Sequence, residues 1–130
     1  MPGMLLTPNT PIFLVGFLGS GKAGVGEVLG ARLGRSVIDL DKWIEARAER
    51  MAADLISNEG EERFRELESE ALQEVAHAAS SVILLGGGAV TRPNNRALIK
   101  HLGIAVWLDA PFELCWRRIQ LDSNLLARAE

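Results

Sequence analysis

The sequence predicts an α/β chain: a parallel sheet between helical layers, in a three-layer α/β/α arrangement. Three observations carry this. Short apolar runs alternate four times with longer amphipathic stretches. The runs are apolar throughout rather than at every second residue, as in strands covered on both faces. The chemically unusual residues follow the carboxyl ends of those runs, where parallel sheets bind ligands. At 130 residues there is enough chain for one domain and one core, so residues 1–130 are read as a single domain with a flexible tail over 1–10.

The elements follow in order. "PIFLVG" is apolar and ends in glycine, a buried strand. Between Lys22 and Leu33 the apolar residues Val25, Val28, Leu29 and Leu33 fall at helical spacing, and Gly34 supplies the stop. "SVIDLD" is a second strand. Residues 41–50 and 52–58 read as short helices. "GEERFRELESEALQEVAHAA" is a long amphipathic helix with Phe64, Leu67, Ala71, Leu72 and Val75 on one side. "SVILLGGG" is a third strand running into three glycines. "RPNNRALIKHLG" is a helix that starts near Pro93 or Asn94 and stops at Gly103. "IAVWLDAP" is the fourth strand, and "FELCWRRIQL" opens a last helix.

Composition excludes several classes. The formal net charge of −3 implies no broad nucleic-acid surface. The single cysteine, Cys115, leaves no partner for an internal disulfide and reads as a buried thiol. No apolar run approaches the roughly 20 residues of a membrane span. The N-terminus lacks the basic and apolar regions of a secretory signal. A cytoplasmic protein is the expectation.

"GFLGSGKAGVG", residues 16–26, carries the spacing of a phosphate-binding loop as far as Lys22. The order strand, glycine-rich loop, helix is the context that motif needs. Backbone N–H groups of Gly19, Ser20, Gly21, Lys22 and Ala23 are placed to surround a phosphate at the helix N-terminus. Lys22 reaches the outer oxygens. Ala23 stands where a serine or threonine hydroxyl is the usual magnesium ligand. Alanine keeps the N–H and loses that ligand, and Gly24 adds no side-chain contact.

Asp39 and Asp41 lie at the end of the second strand, where a carboxylate can hold magnesium through water or accept a proton from a hydroxyl. The plainer reading makes Asp41 the cap of the next helix. Arg63 and Arg65 sit among acids, and i,i+4 ion pairs are the plain account of both. Gly86, Gly87 and Gly88 are harder to explain plainly: one turn needs one glycine, so close approach of a substrate to backbone is the natural reason. His77 and His101 read as helix-end or solvent residues without metal partners.

Together "FLVGFLGSGK", "LGRSVIDLDKWIE", "NEGEERFRELE", "GGGAV" and "VWLDAPFE" resemble shikimate kinases, P-loop kinases of the nucleoside-monophosphate-kinase fold. The resemblance covers nearly all of residues 12–118. It implies transfer of the ATP γ-phosphoryl to the 3-hydroxyl of shikimate, with Mg2+, in aromatic amino-acid synthesis. It implies that Lys22 contacts the transferring phosphate, that Gly19 to Gly24 hold ATP, and that Arg118 packs on the adenine. Asp41 then binds shikimate and takes the proton, Arg65 pairs its carboxylate, Gly86, Gly87 and Gly88 line its site, and Asp39 belongs to the magnesium surroundings. The family is monomeric.

Four departures stand against that pattern. Ala23 and Gly24 replace hydroxyl residues. Leu85 replaces a threonine or serine before the three glycines. "QLDSNLLARAE" keeps Leu125 and Leu126 but lacks the Arg-Pro that precedes them in the family's lid, and no lid role passes to Arg128. The family's strand order 2-3-1-4-5 has a fifth strand for which this sequence carries no counterpart. The expectation is an uncovered fourth strand, open to self-association, with Trp107 and Trp116 short of partners. Low activity is expected, and a non-catalytic or regulatory nucleotide-binding homologue is the alternative. A P-loop kinase for another small hydroxylated acceptor is a third reading, disfavoured by Asp41, Arg65 and the glycines.

Overall fold

The computed structural model describes residues 7–77 and 80–121. Four strands form one parallel sheet: β1 (Ile12–Gly16), β2 (Ser36–Asp39), β3 (Ser81–Leu85) and β4 (Ile104–Leu108). Their spatial order is β2-β3-β1-β4, which puts β1 and β3 inside and β2 and β4 at the edges. The register pairs Leu14 with Leu84 on one side and with Val106 on the other. The helices are α1 (Lys22–Leu33), α2 (Leu40–Ala48), α3 (Ala52–Glu59), α4 (Glu61–Val75), α5 (Pro93–Leu102) and α6 (Phe112–Leu121). A 3-10 helix, Gly87–Thr91, follows β3.

Alternate residues of β1 and β3 feed two apolar layers. Phe13, Val15, Ile83 and Leu85 meet Leu40, Ile44, Leu55, Phe64, Leu72 and Ile99 from α2 to α5, forming the main core. Ile12, Leu14, Val82 and Leu84 face the other way, with Leu29 of α1. Two-sided burial holds for β1 and β3, as all-apolar strands require. It fails for β2 and β4, whose residues are half-buried or exposed because each has a neighbour on one side alone among the described residues. The apolar pattern alone did not separate interior strands from edges.

Helix α1 corrects the sequence reading most. Val25, Val28 and Leu33 are exposed, and the buried positions are Gly26 and Gly30. A Cβ on Gly26 would lie 2.5 Å from Leu84 Cδ2, and one on Gly30 would lie 2.6 Å from Val37 Cγ2. The helix therefore docks by its glycine face, at a separation that no larger side chain permits.

Other boundaries shift for identifiable reasons. Helix α4 stops at Val75 rather than running on to residue 79, and residues 78–79 lie outside the described set. Strand β2 ends at Asp39, where the chain turns directly into α2. Residues 7–10 of the expected tail are tied down: Arg35 donates to the Thr10 and Thr7 carbonyls, and Ser80 Oγ donates to the Pro8 carbonyl. Trp107, on edge strand β4, is 51% exposed and stacks at 6.0 Å on exposed Phe17, and Trp116 on α6 is also exposed. Cys115 is buried and unpaired with any other cysteine.

Two alanine substitutions in α1 should act with opposite sign. Gly26→Ala is expected to destabilise by about 1–3 kcal/mol, the range for overpacking. Gly24, whose added Cβ meets nothing within 4 Å, should tolerate alanine and gain up to about 1 kcal/mol of helix propensity. Urea unfolding of both variants checks the pair.

Candidate active site

The carboxyl ends of β1, β2 and β3 bring three segments to one edge of the sheet: residues 17–21, Asp39 with Asp41, and residues 86–88. The first is a turn closed by the Ser20 N–H donating to the Phe17 carbonyl at 3.0 Å. Gly19 and Gly21 take φ of +80° and +87°, left-handed angles that favour glycine. Gly21 caps α1 without a side-chain acceptor, and no acid occupies the first turn. The helix's own first turn thus sets no carboxylate against its positive end and leading N–H groups. Lys22 Nζ donates to the Gly16 carbonyl across the loop at 3.3 Å. Ala23 and Gly24 are exposed at the start of α1.

Helix α6 supports the loop from beside it. A Cβ on Gly19 would strike the Cys115 carbonyl at 2.5 Å, so Gly19 is held against α6 backbone. Arg118 Nη1 donates to the Gly19 carbonyl at 3.0 Å and would meet a Cβ on Gly21 at 2.9 Å. Arg118 therefore lies over the glycine-rich loop, whereas the resemblance implied that it packs on an adenine.

The aspartates divide their work differently from the sequence reading. Asp39 is the N-cap of α2: its Oδ1 accepts from the Asp41 and Lys42 N–H groups at 3.1 and 3.3 Å. Asp41, taken in the plain reading as the cap, stands in the first turn, half-buried. Its carboxylate is thereby spared from capping.

On the β3 side Arg65 projects from α4 over Gly88, so closely that a Cβ there would overlap the guanidinium. A Cβ on Gly87 would collide with the Phe17 ring. Neither glycine has positive φ, so side-chain approach and not backbone angle is what requires them. A Cβ on Gly86 would meet nothing within 4 Å. Leu85 is fully buried in the main core and offers no polar group to this edge.

Arg65 makes the i,i+4 pair that its spacing suggested, to Glu61 at 3.1 Å. It also pairs with Glu68 at 2.9 Å, and the Glu68 side chain is only 2% exposed. Glu68 was not singled out in the sequence, although its i,i+3 spacing from Arg65 was the available signal. Burial lowers the affinity of Arg65 for its proton. The hydrogen bonds and charges of Glu68 and Glu61 outweigh that, so the pKa rises above the ordinary arginine value. With the folded value raised, the stabilisation is complete below the unfolded arginine pKa and is lost only above it. Arg65 therefore contributes no pH dependence in the range where proteins are ordinarily studied. Arg63 pairs weakly with Glu66, at 3.8 Å. His77 and His101 are exposed.

A groove of about 200 Å³ lies between α2 and α4, lined by Trp43, Ile44, Arg47, Leu67, Ala71 and Glu74 among others. It occupies the side of α4 away from Arg65, and none of the expected site residues lines it. Among the described residues no group of three or more His, Cys, Asp or Glu could hold a metal ion. No helix among them is long and apolar enough to cross a membrane.

Replacing buried Glu68 by glutamine should cost about 1.5–3 kcal/mol, as for a charged hydrogen bond lost from a buried site. Glu61→Gln, at a side chain 70% exposed, should stay within about 0.5 kcal/mol. Urea denaturation near neutral pH compares the two.

Comparison with known proteins fits this geometry. The family model described as Shikimate kinase matches residues 18–130. A shikimate kinase of Symbiobacterium thermophilum is 46% identical over 107 residues, covering 82% of this chain and 62% of that protein. One from Bordetella avium is 42% identical over 127 residues, covering 96% and 61%. Shikimate kinase from Acinetobacter baumannii, solved in complex with shikimate, superposes with a TM-score of 0.85 at 38% identity, covering 89% of this chain and 65% of that one. Shikimate kinase from Bacteroides thetaiotaomicron gives a TM-score of 0.82 at 35% identity, covering 87% and 64%. The chain spans less than two thirds of the length of these relatives. With its parallel sheet in the order β2-β3-β1-β4 and its glycine-rich loop after β1, the chain belongs to the shikimate kinase family.

Proposed function

We propose that the chain carries the phosphoryl-transfer site of a shikimate kinase, moving the γ-phosphoryl of ATP to the 3-hydroxyl of shikimate in aromatic amino-acid synthesis. The observation that carries this reading is the Arg65 guanidinium, held over Gly88 by buried Glu68 at the same sheet edge as the glycine-rich loop. A planar guanidinium suits bidentate capture of a carboxylate. Glu61 and Glu68 engage two of its five N–H donors, so donors remain for an acceptor. The Acinetobacter relative solved with shikimate supports a carboxylated polyol as that acceptor.

Each residue has a role in this reading. The N–H groups of Gly19, Ser20, Gly21, Lys22, Ala23 and Gly24 receive phosphate oxygens, and Lys22 exchanges the Gly16 carbonyl for a phosphate oxygen. Arg118 borders the nucleotide. Asp41 accepts the proton of the attacking hydroxyl, its carboxylate being spared from capping α2. Gly86, Gly87 and Gly88 let the acceptor approach backbone. Positioning and charge neutralisation supply most of the rate in such transfers. A single cytoplasmic kinase domain, monomeric as in the family, goes with this reading; self-association, as a departure from it, would run through β4, which has a strand neighbour on one side alone among the described residues.

The residues fit the phosphates of ATP and do not fit a directly held magnesium ion. Residue 23 offers a methyl group, Leu85 is sealed in the core, and Asp39 Oδ1 is committed to two backbone N–H groups. Those observations favour a second reading, a homologue that binds both ligands without turnover.

A coupled ADP-release assay with ATP, magnesium and shikimate, run beside calorimetry of ADP and of shikimate, separates the two. Slow turnover is the expected result. Binding without turnover would establish the second reading in its place. Arg65→Ala should weaken shikimate by about 10–100-fold, the worth of a charge-assisted hydrogen bond, and leave ADP affinity unchanged.

A further inference from the structure

We propose that this phosphate loop holds nucleotide without help from a divalent cation, so that magnesium does not tighten binding. The inference rests on the phosphate-loop reading above and deepens it. The first ground is the donor set. Magnesium strengthens nucleotide binding when the protein supplies it with an oxygen ligand as well as holding the phosphates. At the start of α1 that ligand is replaced by the Ala23 methyl. The nearest hydroxyl in sequence, Ser20 Oγ, cannot take its place. It is buried, finds no hydrogen-bond partner among the described residues, and lies against Gly16 inside the loop.

The second ground is the charge around the loop. Lys22 and Arg118 both reach it and donate to its own carbonyls, Gly16 and Gly19. Helix α1 begins with no acid in its first turn and no side-chain cap, so its dipole adds positive potential there. A metal-free polyphosphate carries more negative charge than its magnesium complex. It gains at least as much from these groups, and the complex finds no side-chain oxygen at residues 22–24 of α1 to offset the difference.

Calorimetric titration of the chain with ADP, once in EDTA and once in excess magnesium, tests this. The Kd is expected to agree within about threefold, or to be weaker with magnesium; tightening beyond that, toward the tenfold that 1.4 kcal/mol represents, overturns the inference. Ala23→Ser restores a hydroxyl at an exposed position at the start of α1. Each variant is compared with itself in the two buffers: for Ala23→Ser the Kd for ADP should be about tenfold tighter in magnesium than in EDTA, whatever the EDTA value. If the serine variant stays indifferent to magnesium, residue 23 is not the cause and the inference falls. A chain that binds ADP in neither buffer would instead overturn the phosphate-loop reading itself, a different failure from magnesium-dependent binding.

Discussion

The close approach of α1 to the sheet is the constraint on which the rest depends. Gly26 against Leu84 and Gly30 against Val37 leave no room for a Cβ, so the helix sits at a depth set by backbone and not by side chains. That depth determines where the helix begins. Its first N–H groups open at the edge of β1, and the left-handed turn at Gly19 and Gly21 joins strand to helix in the shortest way. A helix packed through Val25 and Val28 would stand several ångströms further out and present its N-terminus elsewhere. The loop's geometry is thus a consequence of packing two turns away from it.

The opposite wall is built by a different kind of contact. Glu68 is a carboxylate placed in the interior, and its ion pair with Arg65 offsets part of the cost of burying it. The pair orients a guanidinium over Gly88 and makes glycine necessary there. Phe17 does the same over Gly87. Both glycines therefore have a reason in the protein alone. The three elements of this wall come from α4, the phosphate loop and the segment after β3, and the parallel topology is what brings them to one edge.

The two halves of the site have diverged in different ways. In the proposed reading the acceptor side keeps Asp41, Arg65 and the three glycines. In the same reading the nucleotide side keeps the backbone cradle and Lys22, whereas residue 23 carries no hydroxyl and Leu85 belongs to the core. Backbone donors survive substitution because each residue other than proline brings one. Side-chain ligands do not. The loop can therefore keep an anion and lose a metal ligand through a single change.

Much of this was legible in the sequence. Four apolar runs gave four strands because each was short and bounded by glycine or polar turns, and the loop motif, the aspartates, Arg65 and the glycine triplet were identifiable from spacing. The family resemblance followed from those same stretches. What the sequence could not convey was which neighbour each residue meets. Helical periodicity put α1's apolar residues inward, and tertiary packing put its glycines there, because close backbone approach releases more contact than burying two valines at a distance. Capping passed from Asp41 to Asp39, since the strand ended two residues earlier than the apolar pattern suggested. Glu68 acquired its importance only when folding removed water from it. Local pattern determined the elements and the chemistry they carry; burial, depth and the partner of each charge were decided by the sheet and the helices laid against it.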